Sequence, residues 1–306
     1  MKDAVLQLRN VTKTIGRRTI VSDLSFDIPA GEVFGFLGPN GAGKTTTIRM
    51  IVGLISMTKG EVLVKGVSVR KQFEQAMTHI GAIVENPEMY KFLTGYQNLV
   101  HYARRHSGVT KQRINDVVKL LGLQNRIHEK VKRYSLGMRQ RLGVAQAILH
   151  KPSVLILDEP TNGLDPAGIR ELRDYLRKLT KEEGIAVVVS SHLLSEMELM
   201  CDRVAIIQGG KLIDVRSLQE AKNSKQTKII VEVDDSQSAY QLLSEAFNGQ
   251  GVSLSGGMIE VMGDRSFIPD MTRLLVKAGL EVYGIHASQR SLEDQFLEMT
   301  GGEMVV

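Results

Sequence analysis

One short glycine-rich stretch carries the clearest chemical pattern in the chain. Segment 38–45 reads Gly-Pro-Asn-Gly-Ala-Gly-Lys-Thr and matches G-x-x-x-x-G-K-[ST], the pattern of a phosphate-binding loop. The backbone N–H groups of such a loop close around phosphate oxygens, and the start of a following helix adds positive potential. We expect Lys44 to reach the β- and γ-phosphates of a nucleotide and Thr45 to bind Mg²⁺. The predicted phosphate contacts are Gly38, Pro39, Asn40, Gly41, Ala42, Gly43, Lys44, Thr45 and Thr46.

The residues on either side of this loop fit the same interpretation. The apolar run 33–37 predicts a buried strand, and the pattern over 46–54 predicts a helix. Strand, glycine loop and helix in that order are the arrangement that phosphate binding needs. An accidental glycine-rich turn, which is the alternative, has no reason to carry these neighbours.

Carboxylates follow a second predicted strand. The apolar residues 154–157 end at Asp158 and Glu159, and ligands of open α/β sheets lie at the carboxyl ends of strands. Asp158 suits a contact to Mg²⁺, because hard cations choose oxygen ligands. Glu159 is placed to polarise a water for attack on the γ-phosphate. His192 follows another buried strand, where it either contacts the γ-phosphate or is structural.

Composition narrows the class of protein. The 306 residues are 42% hydrophobic and 24% charged, with a net charge of +5, which is ordinary for a globular chain. No block of five Lys or Arg occurs, so a solvated basic face is favoured over a nucleic-acid partner. Cys201 is the single cysteine, which fits a reducing, cytoplasmic compartment. Neither a signal peptide nor a run of about 18 apolar residues is found, so any membrane role is expected to need a partner.

Periodicity predicts two domains. An α/β domain spans about 4–220, with an all-α insert at about 94–150, and its first strand, 5–11, alternates like an edge strand. After a polar linker, 225–306 follows the order βαββαβ of a ferredoxin-like sandwich and ends in a capped helix at 291–298.

These motifs together resemble those of the ATP-binding cassette (ABC) ATPases, the nucleotide-binding subunits of ABC transporters. Segment 38–45 matches the Walker A motif, 154–165 matches Walker B and the D-loop, and Ser191-His192 matches the switch histidine. Segment 134–140 stands where the family signature Leu-Ser-Gly-Gly-Gln belongs. The resemblance covers about residues 4–220. The tail resembles, more loosely, the small C-terminal domain of cassettes that export drugs and peptide antibiotics.

The resemblance implies an α/β P-loop NTPase fold with a helical subdomain and a small α+β tail. It also implies Mg²⁺-dependent ATP hydrolysis that powers transport. Two copies would pair head to tail, so that each ATP lies between the P-loop of one chain and Ser135 and Gly137 of the other, with Asp165 of the D-loop near it. Motion would pass through the Glu85 loop to a separate integral-membrane permease, which would hold the cassette on the inner face of the membrane. The implied cargo is a drug or peptide antibiotic.

Three positions depart from the family pattern. The signature keeps Ser135 and Gly137, but Leu136 replaces a glycine, which either slows hydrolysis by narrowing the approach or is simply a subfamily variant. Glu85 stands where a glutamine is usual, and its carboxylate is predicted to contact Mg²⁺ or its water. Ile15 stands where an aromatic residue usually stacks on adenine, so a weaker grip on the base is expected.

Two other functions share these motifs. A cassette ATPase acting on ribosomes or DNA usually has tandem cassettes or long coiled-coil insertions, and this chain has one cassette without sustained heptads. A non-hydrolysing regulatory subunit would suit the altered signature. Lys44, Asp158 and Glu159, which are all present, argue against it.

Overall fold

The computed structural model describes residues 4–218, 227–247 and 251–289. These residues form two compact units, one within 4–218 and one within 227–289. Each unit has a hydrophobic core of its own. The predicted linker and the predicted terminal helix at 291–298 lie outside the described residues.

The first unit alternates strands and helices along the chain. Its elements are β1 (Ala4–Ile15), β2 (Arg18–Pro29), β3 (Val33–Leu37), α1 (Lys44–Ile51), β4 (Lys59–Val64), β5 (Val67–Ser68), α2 (Phe73–Met77), β6 (Ile80–Ile83), α3 (Gly95–Ala103), α4 (Lys111–Leu120), α5 (Leu136–Ile148), β7 (Val154–Leu157), α6 (Pro166–Glu182), β8 (Ala186–Ser191), α7 (Leu194–Met200), β9 (Arg203–Gln208) and β10 (Lys211–Ser217).

A six-stranded sheet carries the chemistry. Its order is β10-β9-β3-β8-β7-β6, and all neighbouring pairs are parallel except β9 with β10. Every residue of β3, β7 and β8 is buried, as expected for parallel strands that are covered on both faces. Because these three strands run in the same direction, the segments that follow them meet at one edge of the sheet.

The prediction that the first strand is an edge strand is wrong. β1 pairs with β2 on one side and with β4 on the other, in a second, antiparallel sheet of order β2-β1-β4-β5. Alternating hydrophobicity reports which face of a strand is buried, but it does not report how many strands flank it.

Side-chain caps fix the starts of the helices in the insert. Thr94 and Gln97 form a reciprocal capping box at the start of α3, Thr110 caps α4, and Ser135 caps α5. The helical region that the sequence predicted between β6 and β7 is therefore built from three capped helices.

The second unit is a two-layer α+β structure. Its elements are β11 (Thr227–Val233), α8 (Ser236–Ala246), β12 (Val252–Ser255), β13 (Met258–Gly263), α9 (Ile268–Lys277) and β14 (Val282–Gln289). The sheet order is β12-β13-β11-β14 and all its pairs are antiparallel, which is the βαββαβ topology expected from the sequence.

Candidate nucleotide site

The phosphate-binding loop connects β3 to α1, and two of its glycines are required by geometry. Gly43 precedes α1 with φ at 105°, in the left-handed region that favours glycine. A Cβ atom on Gly38 would lie 2.0 Å from the carbonyl oxygen of Ile207 on β9, so no side chain fits there. The N–H of Ala42 donates to the carbonyl of Pro39 at 3.1 Å and tightens the turn.

Lys44 is enclosed by the loop that precedes it. The residue is 5% exposed, and its Nζ donates to the carbonyl oxygens of Gly38 at 2.7 Å and Pro39 at 3.3 Å. The same ammonium lies 3.4 Å from Glu159 Oε1. A buried charge of this kind is stabilised only by acceptors and opposite charge, so the loop presents a fixed cation to an anionic ligand.

Three oxygen-bearing side chains meet between α1 and the sheet. Thr45 Oγ1 lies 3.2 Å from Asp158 Oδ1, and Ser190 Oγ donates to the same carboxylate oxygen at 2.7 Å. Asp158 is buried at the end of β7. A hydroxyl and a carboxylate oxygen held together match the preference of Mg²⁺, which binds one or two protein oxygens together with phosphates and water. Thr45 and Asp158 therefore fit a Mg²⁺ ion.

Glu159 lies between a lysine and a histidine. Its backbone has φ at 46° and its N–H donates to Ser190 Oγ at 2.8 Å, which fixes the direction of the side chain. Oε1 faces Lys44, and Oε2 is 3.0 Å from His192 Nδ1. Asp158 and Glu159 thus share one serine anchor on β8 but point to different partners.

A cavity of about 440 Å³ opens over the loop. Most residues predicted to bind the phosphates line it, from Asn40 to Thr46, and so do Glu159 and His192. Gly38, Pro39 and Asp158 are not among the lining residues. The cavity is also lined by Arg18, Ile20 and Asn162, which were not among the predicted site residues. Asn162 lies within the segment matched to Walker B and the D-loop but was given no role, whereas no motif marks Arg18 and Ile20, which reach the cavity through the packing of β2 beside the loop.

Four predicted site residues lie away from this cavity. Ser135 caps α5, and its Oγ accepts the N–H of Met138 at 3.2 Å, while Asp165 caps α6 by accepting the N–H of Gly168 at 3.0 Å. Gly137 follows Ser135 in the first turn of α5. Glu85 needs a correction. Its carboxylate pairs with Arg49 at the last turn of α1 and does not line the cavity, so we leave it out of the proposed metal site.

The chain matches the family described as ABC transporter over residues 21–162. It is also 57% identical over 303 residues to the ABC transporter ATP-binding protein YhcH of Bacillus subtilis (strain 168), covering 97% of this chain and 96% of that one. The chain belongs to the ATP-binding proteins of ABC transporters. This cassette is 38% identical to the bacitracin transport ATP-binding protein BcrA of Bacillus licheniformis, covering 97% of the cassette chain and 98% of BcrA.

A solved structure of cbiO1 from Clostridium perfringens, part of an ABC transporter complex, superimposes on the cassette with a TM-score of 0.67 at 25% identity. It covers 73% of this chain and 92% of that one. The predicted family, fold class and ATP hydrolysis are thereby confirmed. The chain is an ATP-hydrolysing subunit that powers an ABC transporter. Within the described residues, no helix has the length and apolar character needed to cross a bilayer.

Proposed function

We propose that Glu159 activates the water that hydrolyses ATP, and that the cassette uses this reaction to export a drug or peptide antibiotic through a separate permease. The observation that carries the catalytic part is the position of the Glu159 carboxylate. It lines the P-loop cavity and is held between Lys44 and His192.

The phosphates and the metal ion would be held by the P-loop and by Asp158 at the end of β7. Lys44 and the N–H groups of the loop bind the β- and γ-phosphates, and Thr45 and Asp158 hold Mg²⁺. When bound, Mg²⁺ neutralises charge on the transferring phosphoryl group. Glu159 accepts a proton from the attacking water, which is the work of a general base. His192 orients that carboxylate through its Nδ1, and its place in the lining of the cavity supports a further contact to the γ-phosphate.

A second copy of the chain would complete the site. Ser135 is exposed at the amino end of α5, where the backbone N–H groups and the helix dipole favour an anion. Ser135, Gly137 and Asp165 do not line the cavity of their own chain. Their roles are therefore best served in a head-to-tail homodimer, in which they act on the nucleotide bound by the partner.

The permease would bind near the Glu85 loop and the start of the helical insert. Tyr90 and Phe92 are 41% and 68% exposed there, and their rings lie 5.8 Å apart. Exposed aromatic side chains of this kind are enriched at protein interfaces. Binding at this surface would place the cassette on the inner face of the membrane. The whole-length similarity to a bacitracin transport protein supports a peptide antibiotic as the cargo.

The variant Glu159→Gln tests the catalytic role. The amide keeps the size of the side chain but lacks a basic oxygen, so phosphate release should fall by about 10²–10⁴-fold while MgATP still binds. The mass in solution should show an ATP-dependent dimer. Glu182→Gln, at the exposed end of α6, is the matched control and should hydrolyse normally. Near-normal turnover of Glu159→Gln would assign the base to another residue, and loss of ATP binding would make Glu159 structural.

A further inference from the structure

One carboxylate outside the nucleotide cavity joins two buried hydroxyl groups. Glu196 lies in the first turn of α7, and its Oε2 accepts hydrogen bonds from Thr161 Oγ1 at 2.7 Å and Ser191 Oγ at 2.8 Å. Thr161 is 3% exposed and Ser191 is fully buried. Hydrogen bonds to a charged acceptor are roughly twice as strong as neutral ones, so the three side chains form a firm link.

The two hydroxyl groups belong to the segments that carry Glu159 and His192, the two residues proposed to act in hydrolysis. Thr161 follows Glu159 by two residues at the end of β7, and Ser191 immediately precedes His192 at the end of β8. Glu159 and His192 contact each other at 3.0 Å on the cavity side. Glu196 on α7 bonds to the same two segments. The ends of β7 and β8 are therefore connected twice, once by the Glu159–His192 contact and once through Glu196.

The turn that holds His192 is bound on both sides. Ser191 Oγ donates to Glu196 and also accepts the N–H of Leu193 at 3.0 Å. The residues on both sides of His192 are therefore linked: Leu193 is bonded to Ser191, and Ser191 is bonded to Glu196. A shift of this turn would change the direction of the imidazole relative to Glu159.

We propose that Glu196 is a positioning residue for ATP hydrolysis. It holds the segments 159–161 and 191–193 in register, so that His192 Nδ1 keeps its hydrogen bond to Glu159. Glu196 itself does not line the nucleotide cavity. The inference rests on the proposed role of Glu159. The competing view is that Glu196 only stabilises α7, because an acidic residue in a first turn is favourable to the helix dipole.

Kinetics of Glu196→Ala and Glu196→Gln separate these views. Loss of the acceptor should lower kcat by about 10–100-fold, since a displacement of about 1 Å at a reacting group costs about 10²-fold. KM for MgATP should stay within about twofold, because Lys44, Thr45 and Asp158 make no hydrogen bond to Glu196. Glu196→Gln keeps an acceptor oxygen and should restore kcat to within about threefold of the parent chain. Glu182→Gln, exposed at the end of α6, is the control and should leave kcat unchanged.

Thr161→Val and Ser191→Ala provide the same test if Glu196→Ala does not fold. Each should lower kcat, and the double variant Thr161→Val with Ser191→Ala should lose less than the sum of the two single losses, because both hydroxyls act through Glu196. Unchanged kcat with lowered thermal stability, or fully additive losses, would overturn the inference. Slow turnover of Glu159→Gln beside normal turnover of Glu196→Ala would refute this inference alone. Normal turnover of Glu159→Gln would refute the role given to Glu159 and, with it, the positioning role of Glu196.

Discussion

Ile15 and Arg18 lie close together in the chain, but only one of them lines the nucleotide cavity. Ile15, which occupies the position of the family's aromatic residue, is 59% exposed and does not line the cavity. Arg18, three residues later, does line it. A guanidinium group stacks on the face of an aromatic ring, and stacking of this kind tolerates any base because every base has a π-face.

We therefore expect low selectivity between purines. Dissociation constants for ATP and GTP should agree within about tenfold, which is a difference of about 1.4 kcal/mol. Arg18→Ala should weaken both by about two- to fivefold, the size of an exposed cation–π contact. Arg17→Ala is the matched control, because Arg17 is its neighbour and does not line the cavity. A preference for ATP above a hundredfold would show that another residue recognises adenine.

His150 links the end of α5 to the sheet, and its environment disfavours the charged form of the imidazole. One ring nitrogen, Nε2, lies 3.0 Å from the carbonyl oxygen of Ile80, and the buried Nδ1 has no hydrogen-bond partner. The ring stacks on His106 with centroids 4.4 Å apart. Burial lowers the pKa of His150 below its ordinary value of 6.5, and the charges of His106 and Arg113 lower it further.

Stability should therefore depend on pH through His150. Because its pKa is lower in the folded chain, the unfolded chain binds the proton first, and the contribution of His150 to stability is lost as the pH falls below about 6.5. In urea unfolding, the stability advantage of the parent chain over His150→Gln should shrink between pH 7.5 and pH 5.5. One proton limits this slope to about 1.4 kcal/mol per pH unit. A difference that does not change with pH would contradict this account.

Helices and strands that are marked by an apolar run or by a clear periodicity could be predicted from the sequence. Elements whose position depends on packing against the rest of the chain could not. The bounds of β3 and β7 follow from apolar runs between polar residues. The helix after the loop begins at Lys44, two residues before its predicted start, because Gly43 acts both as loop residue and as helix cap. Helix α7 was missed, since its seven residues show too little periodicity.

Side-chain directions were the least predictable property of the site. Glu85 was predicted to contact the metal because it stands where the family has a glutamine, yet its backbone has φ at 66° and its carboxylate pairs with Arg49. Arg18 reaches the cavity only because β2 packs beside the loop. The position of a residue along the chain indicates which edge of a sheet it occupies. The direction of its side chain depends on the backbone angles and on the neighbouring residues.

Arg113 joins helices that are distant in the chain. It is 8% exposed on α4, and its guanidinium donates to the carbonyls of Ile148 and Leu149 at 2.9 and 3.4 Å. A third donor contacts Glu183 Oε1 at 2.9 Å. These contacts satisfy carbonyl groups at the end of α5 that have no partner within the helix.

Removal of this guanidinium should be costly. Arg113→Ala leaves Glu183 and the carbonyl of Leu149 without this donor, and the carbonyl of Ile148 keeps only the N–H of Lys151, so the free energy of unfolding should fall by about 2–4 kcal/mol. Arg113→Lys keeps the charge but lacks the forked guanidinium, so it should lower the free energy of unfolding by part of that amount. Lys119→Ala, exposed on the same helix, is the control and should cost less than about 0.5 kcal/mol in urea unfolding. Equal losses for Arg113→Ala and Lys119→Ala would refute the role of Arg113.

At the scale of the whole molecule, the two units bury separate sets of apolar side chains. Ile229, Val231 and Leu243 belong to the core of the second unit, and Phe34 and Ile156 belong to that of the first. Separate cores are the usual mark of domains that can fold independently.

A chain that ends near Ala221 should therefore still bind ATP. All residues that line the nucleotide cavity lie in the first unit. A titration with a fluorescent nucleotide should give a dissociation constant within about threefold of that of the full chain, since no direct contact to the nucleotide is removed. Far-ultraviolet circular dichroism should show a folded cassette. Loss of the cassette fold on truncation would mean that the tail stabilises it.

The wall behind the phosphate loop comes from a much later part of the chain. The N–H of Gly210 donates to the carbonyl of Ala42 at 3.0 Å, and its own carbonyl accepts the N–H of Ser22 at 2.7 Å. Ile207 lies against Gly38. During synthesis at about 5–20 residues per second, roughly 8 to 30 s separate Ala42 from Gly210. A ribosome that stalls between residues 192 and 210 therefore holds a chain that has the loop, Asp158, Glu159 and His192, but lacks the residues that pack behind the loop.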